Sequence, residues 1–389
     1  MYKYIHSCSQ WRNYLLSTYR HCSKLVMKIA FDSQIFTLQE YGGISRYICS
    51  LAEQLAGIDG VEAGIIAPFY INAYLDKLPK SLVSGIRVPQ IPKTRGAFHL
   101  SSLWLARRAI AQFAPQIVHE TYYTASPATP KGVPTVVTVY DMIHERFSIA
   151  TSKYNRISEW KRMATQRADH VICISESTRK DLLELFDLPE DKVSVVYLGF
   201  DRLAPMNLGI DKGKPYLLYV GQRGGYKNFD GFLRAYAGST WLCNNFNIVC
   251  FGGGAFSSNE KKLFNDLKIT DDKLIQRNGN DSKLANFYQG AALFIYPSLY
   301  EGFGIPPLEA MSLGCPVACS NNSSIPEVVG DAAEYFDPKS TESIRAAMER
   351  VLNSTARRLA LIESGFVRCA QFSWERCAEE TLAIYRGLM

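Results

Sequence analysis

Short apolar runs alternate with helix-period stretches along the chain from Lys28 onward. Runs rich in β-branched and aromatic residues lie at 28 to 32, 63 to 67, 116 to 119, 134 to 139, 170 to 174 and 193 to 197. Between the first two runs, apolar residues recur on one face of a predicted helix, namely Ile44, Tyr47, Ile48, Leu51 and Leu55. This alternation indicates repeated βα units and a parallel sheet.

A polar stretch containing Gly and Pro, 201 to 215, interrupts the pattern, which restarts with YLLYVG at 216 to 221. Further strands are predicted at NIVCFGGG, LIQRNGN, LFIYPS, PVACS and AEYF, with helices near 283 to 291, 307 to 313 and 341 to 352. We therefore predict an α/β fold of two doubly wound, Rossmann-like domains, 27 to 205 and 206 to 372. The carboxyl ends of both sheets should face a cleft, where open α/β sheets bind their ligands.

The two ends of the chain differ from this pattern. Residues 1 to 26 lack the apolar core of a signal peptide and show no periodicity, so we expect a leader that is disordered or a misassigned start. A chain that begins at Met27 should keep the melting temperature and the activity of the full chain. Residues 373 to 389 predict an amphipathic helix.

Composition narrows the class of protein. No apolar run in the 389 residues approaches the roughly 18 to 20 needed to span a bilayer. The net charge of +6 is too small and too scattered for a nucleic-acid binder. The ten cysteines include no CxxC pair, and CPVAC (315 to 319) has the pattern of a buried strand rather than a metal site. A reducing, cytoplasmic setting is expected.

Two glycine-rich segments follow predicted strands. Gly42 and Gly43 open the predicted Ile44 helix, where free amides can approach an anion, although a plain tight turn would have the same sequence. In YVGQRGGYKNF (219 to 229), Arg223 and Lys227 stand in a loop after a strand. Both can stabilise a departing diphosphate without a metal; the alternative is two solvated loop cations.

The segment YPSLYEGFGIPPLEAMSLGCPV (296 to 317) carries two carboxylates. Glu301 and Glu309 are separated by seven residues, and Pro306 and Pro307 predict a helix start that puts Glu309 in the first turn. Carboxylates accept hydrogen bonds from the hydroxyls of a sugar or a ribose. Two surface glutamates or a glycosidase pair would also fit the spacing, but a glycosidase leaves Arg223 and Lys227 unexplained.

In order along the chain, these segments resemble the family 4 retaining glycosyltransferases of GT-B architecture. The resemblance runs through YGGISRY, VTVYDMIHE, VICISESTRKDL, VVYLGFD, YVGQRGGYKN, NDSKLANFY, the 296 to 317 segment, SIPEVVGDAAEYFDP and FSWERCAEETLAIY. It covers nearly all of the chain after Met27. It implies that the last helix crosses back to the first domain and that no metal or other cofactor is needed.

The resemblance also implies roles for single residues. Arg223 and Lys227 would bind the donor diphosphate together with the amides near Phe303, Gly304 and Ile305. Glu301 would hold the donor sugar, Glu309 the ribose, and Gly43 would lie near the phosphates or the acceptor. The stretch 278 to 281 lies where the family packs the base.

One position departs from the family pattern. Many relatives have His before Asp at the end of the VTV strand, where this chain has Tyr140 before Asp141. Asp141 is expected to orient the acceptor or the sugar, and the leaving phosphate can take the acceptor proton. His119 and His144 are alternative polar groups, but a lone His more often has a structural role.

These observations predict transfer of a hexose, with mannose as the suggested sugar, from a nucleotide-sugar donor to a saccharide or lipid-linked saccharide acceptor. The alternatives are a catalytically inactive partner subunit and a nucleotide-sugar isomerase on the same fold. Weak, salt-sensitive contact with the inner face of a membrane is expected from a set of first-domain cations: Arg107, Arg108, Lys153, Arg156, Lys161 and Arg162.

Overall fold

A computed structural model of the chain describes residues 26–89, 95–147, 152–205 and 214–389; the side chains of 95–100 and 152–155 are not described. Residues 1–25 of the predicted leader therefore lie outside the described residues, and so does the side chain of Lys153. The described residues form two parallel sheets with helices, in agreement with the predicted fold class.

The seven-stranded sheet has the order β3-β2-β1-β4-β5-β6-β7. Its strands are β1 (Met27–Phe31), β2 (Val61–Tyr70), β3 (Val83–Arg87), β4 (Ile117–Glu120), β5 (Thr135–Val139), β6 (His170–Cys173) and β7 (Val193–Val195). Six of them lie where the apolar runs predict strands. β3 is the exception, because four of its five residues are exposed and it carries no apolar run.

The helices that accompany this sheet connect its strands. They are α1 (Gln34–Leu38), α2 (Gly43–Ala56), α3 (Arg95–Phe113), α4 (Ile143–Arg146), α5 (Ser152–Arg167) and α6 (Glu176–Leu185). The predicted apolar stripe of α2 is largely buried, as periodic apolar residues on one helix face should be.

The six-stranded sheet has the order β10-β9-β8-β11-β12-β13. Its strands are β8 (Tyr216–Val220), β9 (Asn247–Phe251), β10 (Leu274–Arg277), β11 (Leu293–Tyr296), β12 (Val317–Ser320) and β13 (Glu334–Phe336). All six were predicted. Strands β8, β9 and β10 are added towards one edge of the sheet, and β11, β12 and β13 towards the other. The strand order therefore reverses between the parallel neighbours β8 and β11, and such sheets bind ligands at this switch point.

Nine helices of the described chain follow β8. They are α7 (Phe229–Ala237), α8 (Thr240–Asn245), α9 (Ser258–Asp266), α10 (Asp281–Gly290), α11 (Ile305–Ser312), α12 (Ile325–Val329), α13 (Thr341–Leu352), α14 (Thr355–Cys369) and α15 (Trp374–Gly387). The aromatic side chains of Phe229, Phe232 and Tyr236 on α7 pack into one core with the apolar side chains of β8 and β9. This core fixes the carboxyl ends of both strands.

The described residues divide into two compact units. One contains the residues up to Tyr122, Ser126–Val136 and Leu382–Met389; the other contains Tyr123–Ala125 and Val137–Thr381. In the first unit, His119 at the end of β4 lies 2.5 Å from the hydroxyl of Tyr385 on α15. The domain limits expected at 205 and 372 stay predictions.

The larger unit holds elements that are far apart in sequence. The carboxylate of Glu327 on α12 accepts hydrogen bonds from the first two amides of α6, at Glu176 (2.8 Å) and Ser177 (2.9 Å). The hydroxyl of Tyr197 donates to the same carboxylate at 3.2 Å. A negative charge therefore lies at the positive end of α6.

Candidate active site at the β8–β11 switch point

The loops that follow β8 and β11 are fixed to each other. The side-chain amide of Asn228 donates to the carbonyl groups of Pro297 (3.1 Å) and Pro338 (2.7 Å). The amide of Leu299 donates to the carbonyl of Tyr226 at 2.7 Å. These bonds set the distance between the charged residues that the two loops carry.

Lys227 and Glu301 are brought together by these loops. The Lys227 Nζ donates to Glu301 Oε1 at 2.7 Å. The ammonium also lies 5.2 Å from the ring centre of Tyr226 and 5.9 Å from that of Tyr296. Burial opposes the charge, but the negative charge of Glu301, with smaller contributions that include Asp141, raises the pKa of Lys227. Lys227 is therefore a cation at neutral pH.

The peptide around Glu301 is held on two sides. Its amide donates to Ser323 Oγ at 2.9 Å, and Ser324 Oγ lies 2.9 Å from the Glu301 carbonyl and 2.8 Å from that of Phe303. Glu301 is 8% exposed. Burial and the neighbouring Glu301 charge raise the pKa of Tyr296, so this phenol stays neutral and can donate to the carboxylate.

Asp141 follows β5 and lies beside this loop. A Cβ atom at Gly302 would stand 1.9 Å from the carbonyl oxygen of Tyr140 and 3.1 Å from Asp141 Cβ, so glycine allows the two segments to touch. The Asp141 carboxylate accepts from the amide of Ile143 at 3.1 Å. Three of the predicted catalytic residues, Lys227, Glu301 and Asp141, therefore share one neighbourhood.

A buried lysine holds the backbone at Asp141. Lys161 on α5 is 1% exposed, and its Nζ donates to the Asp141 carbonyl and to Glu145 Oε2, both at 2.8 Å. The prediction that Lys161 is a surface cation is wrong. Helix α5 turns this residue inward, and its partner Glu145 is 6% exposed.

Helix α11 starts as the Pro-Pro pair predicts. Gly304 precedes it with φ of 119°, a left-handed conformation that favours glycine. Glu309 is its fifth residue, so the prediction that it lies in the first turn is wrong: the helix begins at Ile305, before both prolines. Glu309 is 6% exposed and its Oε2 accepts from the hydroxyl of Tyr288 at 3.2 Å.

The amides predicted to form the anion site lie at the start of this helix. Phe303 is buried, and its ring packs against Tyr197 and Phe372, with ring centres 6.1 Å and 5.8 Å away. Gly304 and Ile305 are the cap and the first residue of α11, and the first amides of a helix have no acceptor within it.

Arg223 makes contacts that the sequence does not predict. Its Nε donates to Glu260, and Nη1 and Nη2 donate to the carbonyl groups of Gly252, Gly253, Gly254 and Ala255 at 3.0 to 3.3 Å. A crevice of about 590 Å³ is lined by residues that include Arg223, Glu260, Gly224, Gly225 and Gly253. The structure thus places Arg223 on the turn after β9.

Gly43 belongs to the smaller unit. It is the first residue of α2, as predicted, and a Cβ at this position would meet no atom within 4 Å. In the stretch 278 to 281, Asn280 caps α10 by accepting from the amide of Lys283 at 3.1 Å. The roles of Gly43 and of this stretch in binding stay predictions.

His119 has a structural environment. It is buried, its ring stacks on Phe31 at 5.3 Å, and burial lowers its pKa to about 3. It is therefore neutral at physiological pH. His144 lies in α4, one turn after Asp141.

Sequence reasoning missed the residues that orient the site. The buried Lys161–Glu145 pair and the Ser323–Ser324 contacts carry no pattern of their own, because they depend on which segments the fold brings together. Glu260 is different. Ser257 and Glu260 have the S-x-x-E spacing of a capping box, and the structure contains that box at the start of α9.

The described residues contain neither a membrane-spanning helix nor a cluster of metal-binding side chains. Within 26–89, 95–147, 152–205 and 214–389, no helix has the length and hydropathy required to cross a bilayer. In the same residues, His, Cys, Asp and Glu side chains form no group of three or more that could hold a metal ion. Independence of metals stays a prediction.

Two family models match almost consecutive parts of the chain. Residues 41–202 match the model described as glycosyltransferase family 4, and residues 202–368 match the one described as glycosyl transferases group 1. Together they extend from the start of α2 into α14 and include every strand except β1.

Characterised proteins show the same likeness. The chain is 31% identical over 231 residues to the O-antigen chain mannosyltransferase B of Escherichia coli, which covers 56% of this chain and 60% of that protein. It is 28% identical over 313 residues to the serotype-specific mannosyltransferase WbdA of Escherichia coli. That aligned region covers 72% of this chain and 38% of WbdA. The chain thus spans about 60% of the first relative and well under half of the second.

Among solved structures, the sucrose-phosphate synthase of Thermosynechococcus elongatus superposes with a TM-score of 0.73. The match covers 93% of this chain and 99% of that one at 20% identity. This neighbour supports the two-sheet fold.

Proposed function

Because the chain belongs to the family 4, group 1 glycosyltransferases, we propose that it transfers a hexose, with retention, from a nucleoside diphosphate sugar to a saccharide or lipid-linked saccharide. The observation that carries the proposal is the Lys227–Glu301 pair, 2.7 Å long, at the β8–β11 switch point. A cation and a carboxylate on adjacent loops suit the two ends of a sugar diphosphate.

The proposed division of roles follows the charges. Lys227 neutralises the departing diphosphate, with the amides at Phe303, Gly304 and Ile305. Glu301 holds hydroxyls of the donor sugar, and Asp141 orients the acceptor or the sugar. The resemblance gives Arg223 the same role as Lys227, although its donors are used here by Glu260 and by a turn.

The remaining assignments rest on the resemblance. Glu309 holds the ribose, and its contact with Tyr288 fixes the carboxylate for that purpose. Gly43 lies near the phosphates or the acceptor. We propose that no metal is needed, because a protein cation supplies the charge that metal ions supply elsewhere.

Mannose is the proposed sugar, since the relatives named above are mannosyltransferases. The test is a panel of nucleotide sugars and the matching nucleotides added to the protein while its thermal unfolding is followed. A ligand that binds only the folded state raises the free energy of unfolding, by about 2.7 kcal/mol at a hundred times its dissociation constant. The melting temperature rises with it.

The stabilising donor is then incubated with saccharide and lipid-linked acceptors. Appearance of a glycosylated product with the anomeric configuration of the donor is the expected result. Stabilisation without transfer to any acceptor would favour a binding subunit, and conversion of the donor in the absence of acceptor would favour an isomerase. Loss of activity on chelation with EDTA would contradict the metal-independent mechanism.

We also propose weak peripheral contact with an anionic membrane on the cytoplasmic side. Arg107, Arg108, Arg156 and Arg162 are exposed, whereas Lys161 is buried and cannot contribute. The Arg108 guanidinium stacks on Trp104, which is 52% exposed. Flotation with anionic vesicles at low and high salt tests this proposal; absence of binding at low salt would refute it.

A further inference from the structure

The turn after β9 is built around the Arg223 guanidinium. Four consecutive carbonyl groups, those of Gly252, Gly253, Gly254 and Ala255, accept from its two terminal nitrogens. Carbonyl oxygens that converge on one point repel each other, and a cation at that point offsets the repulsion. Arg223 supplies that cation from the neighbouring strand's loop.

The guanidinium is packed as well as hydrogen-bonded. Its central carbon lies 4.8 Å from the ring centre of Phe256, and a Cβ atom at Gly253 would stand 2.6 Å from Nη1. The Arg223 side chain is 4% exposed. The residue therefore occupies a fitted space in the turn, not a solvent-facing position.

Glu260 connects Arg223 to helix α9. Its Oε1 accepts from Arg223 Nε, and its Oε2 accepts from the amide and the hydroxyl of Ser257, both at 2.7 Å. These bonds to Arg223 and Ser257 outweigh the effect of burial and lower the pKa of Glu260, which is thus a carboxylate at neutral pH. The Glu260 carboxylate therefore links Arg223, and through it the turn 252–255, to the start of α9.

The conformation of the turn leaves little freedom. Gly252, Gly253 and Gly254 have φ of 84°, 71° and 74°, in the left-handed region that favours glycine. Because a trans peptide sets its C=O opposite its N–H, the amides of residues 253 to 256 point to the side opposite the guanidinium. The way Arg223 is held fixes their direction.

We infer that Arg223 is a positioning residue in this chain, which together with Glu260 holds the turn 252–255 at the crevice of about 590 Å³ and does not itself grip the diphosphate. The inference rests on the proposed function, which makes the loop that carries Arg223 and Lys227 part of the donor site. It adds Glu260, a residue outside the family-derived site, to the set on which transfer depends.

Glu260→Gln separates this role from direct phosphate binding. If Arg223 contacts the diphosphate, neutralising Glu260 frees a guanidinium and leaves transfer unchanged or faster. If Arg223 holds the turn, Glu260→Gln weakens the hold and lowers kcat/KM on the order of tenfold, within the range of coupled pairs. Arg223→Lys should then fare no better than Arg223→Ala, because one ammonium cannot reach Glu260 and four carbonyl groups.

The experiment measures donor kcat and KM for the full chain and for Glu260→Gln, Arg223→Lys, Arg223→Ala and the double variant Arg223→Ala/Glu260→Gln. Lys262→Ala is the matched control, since it replaces an exposed side chain on the same helix and leaves the Arg223–Glu260 pair and its partners in place. We expect Lys262→Ala to keep the kcat/KM of the native chain and the double variant to equal Arg223→Ala.

A second readout does not depend on activity. Hydrogen–deuterium exchange of the Gly252 and Ser257 amides, which donate to the Arg277 carbonyl and to Glu260 at the two ends of the turn, should be about tenfold faster in Glu260→Gln without ligand and unchanged in helix α13. Unchanged exchange in the turn overturns the inference whether or not the protein transfers sugar.

The kinetic outcomes are equally distinct. Glu260→Gln at or above native kcat/KM, with Arg223→Ala strongly impaired, overturns the inference and returns Arg223 to the diphosphate. Multiplicative losses in the double variant overturn it too. A native chain that transfers no sugar from any donor refutes the proposed function instead, and the exchange measurement then decides the role of Arg223.

Discussion

Lys227 donates a hydrogen bond to Glu301, so the proposed site contains a cation and a carboxylate that orient each other. Lys227→Ala should lower kcat on the order of a hundredfold and change the donor KM much less, because its interaction strengthens as charge develops on the leaving diphosphate. Steady-state rates over a range of donor concentrations test this. The control is Lys262→Ala on the exposed side of α9, which should have native kinetics; an equal loss there, or full activity of Lys227→Ala, would contradict the assignment.

Glu309 contacts a part of the donor that does not react, according to the proposed roles. Glu309→Gln should therefore raise the donor KM about tenfold with little change in kcat, whereas Glu301→Gln should lower kcat. Tyr288→Phe removes the hydroxyl that holds Glu309 and should raise KM by a smaller factor in the same direction. A fall in kcat with unchanged KM for Glu309→Gln would place this carboxylate at the sugar instead.

For single residues, the sequence predicts which side chains are charged but not which groups they pair with. Lys227 and Glu301 follow adjacent strands of one sheet, so their meeting follows from topology. Arg223 and Lys161 could not be placed in the same way. Whether a cation faces a ligand or is enclosed depends on side-chain packing between segments, which are 16 residues apart for Lys161 and Glu145 and 37 for Arg223 and Glu260.

The segment between β11 and α11 has little room for change. Gly302→Ala puts a methyl group 1.9 Å from the Tyr140 carbonyl, so the chain must shift, and the free energy of unfolding should fall by about 1–3 kcal/mol. Gly224→Ala, in the loop after β8, meets no atom within 4 Å and has φ of −101°, so its stability should match the native protein. Urea unfolding of both variants tests the contrast. Equal stabilities would show that the β5 and β11 loops are not in contact.

The end of β4 gives the fold a dependence on pH. His119 has its pKa lowered to about 3 by burial, so between pH 6.5 and about 3 the unfolded chain binds a proton that the folded chain does not. Stability is therefore lost as pH falls below 6.5. Lowering the pH from 7.5 to 5.5 should reduce the contribution of His119 to the free energy of unfolding by about 1.4 kcal/mol.

Urea unfolding at both pH values tests this prediction, with the difference between the native chain and His119→Gln as the readout. Tyr385→Phe leaves His119 buried and should keep the native pH dependence. If His119→Gln loses as much stability between pH 7.5 and 5.5 as the native chain, groups other than His119 cause the pH dependence.

The order of elements could be predicted almost completely, because buried parallel strands are short apolar runs separated by amphipathic helices. Strand β3 could not, since it lies at the edge of its sheet and is mostly exposed. The start of α11 was misplaced by a few residues for a related reason: prolines are tolerated throughout a first helical turn, so they locate a helix start only approximately.

The larger unit is held together by contacts between distant parts of the chain, of which Glu327 provides several. Glu327→Ala leaves two amides of α6 and the Tyr197 hydroxyl without their acceptor and should lower stability by about 1–2 kcal/mol, as loss of a helix cap does. Glu363→Ala, on the exposed face of α14, should stay within about 0.5 kcal/mol of the native protein. Denaturant midpoints measure both, and equal midpoints would mean that solvent replaces Glu327 at no cost.

The contact between His119 and Tyr385 joins residues that are 266 positions apart. During translation, at roughly 5 to 20 residues per second, the ribosome needs on the order of 10 to 50 s to proceed from the first to the second. The strands β1, β2 and β4 leave the exit tunnel early, yet the last piece of their unit arrives only with residues 382–389. Nascent chains of this protein should therefore expose a binding surface for chaperones throughout most of their synthesis, and that exposure should end when α15 emerges.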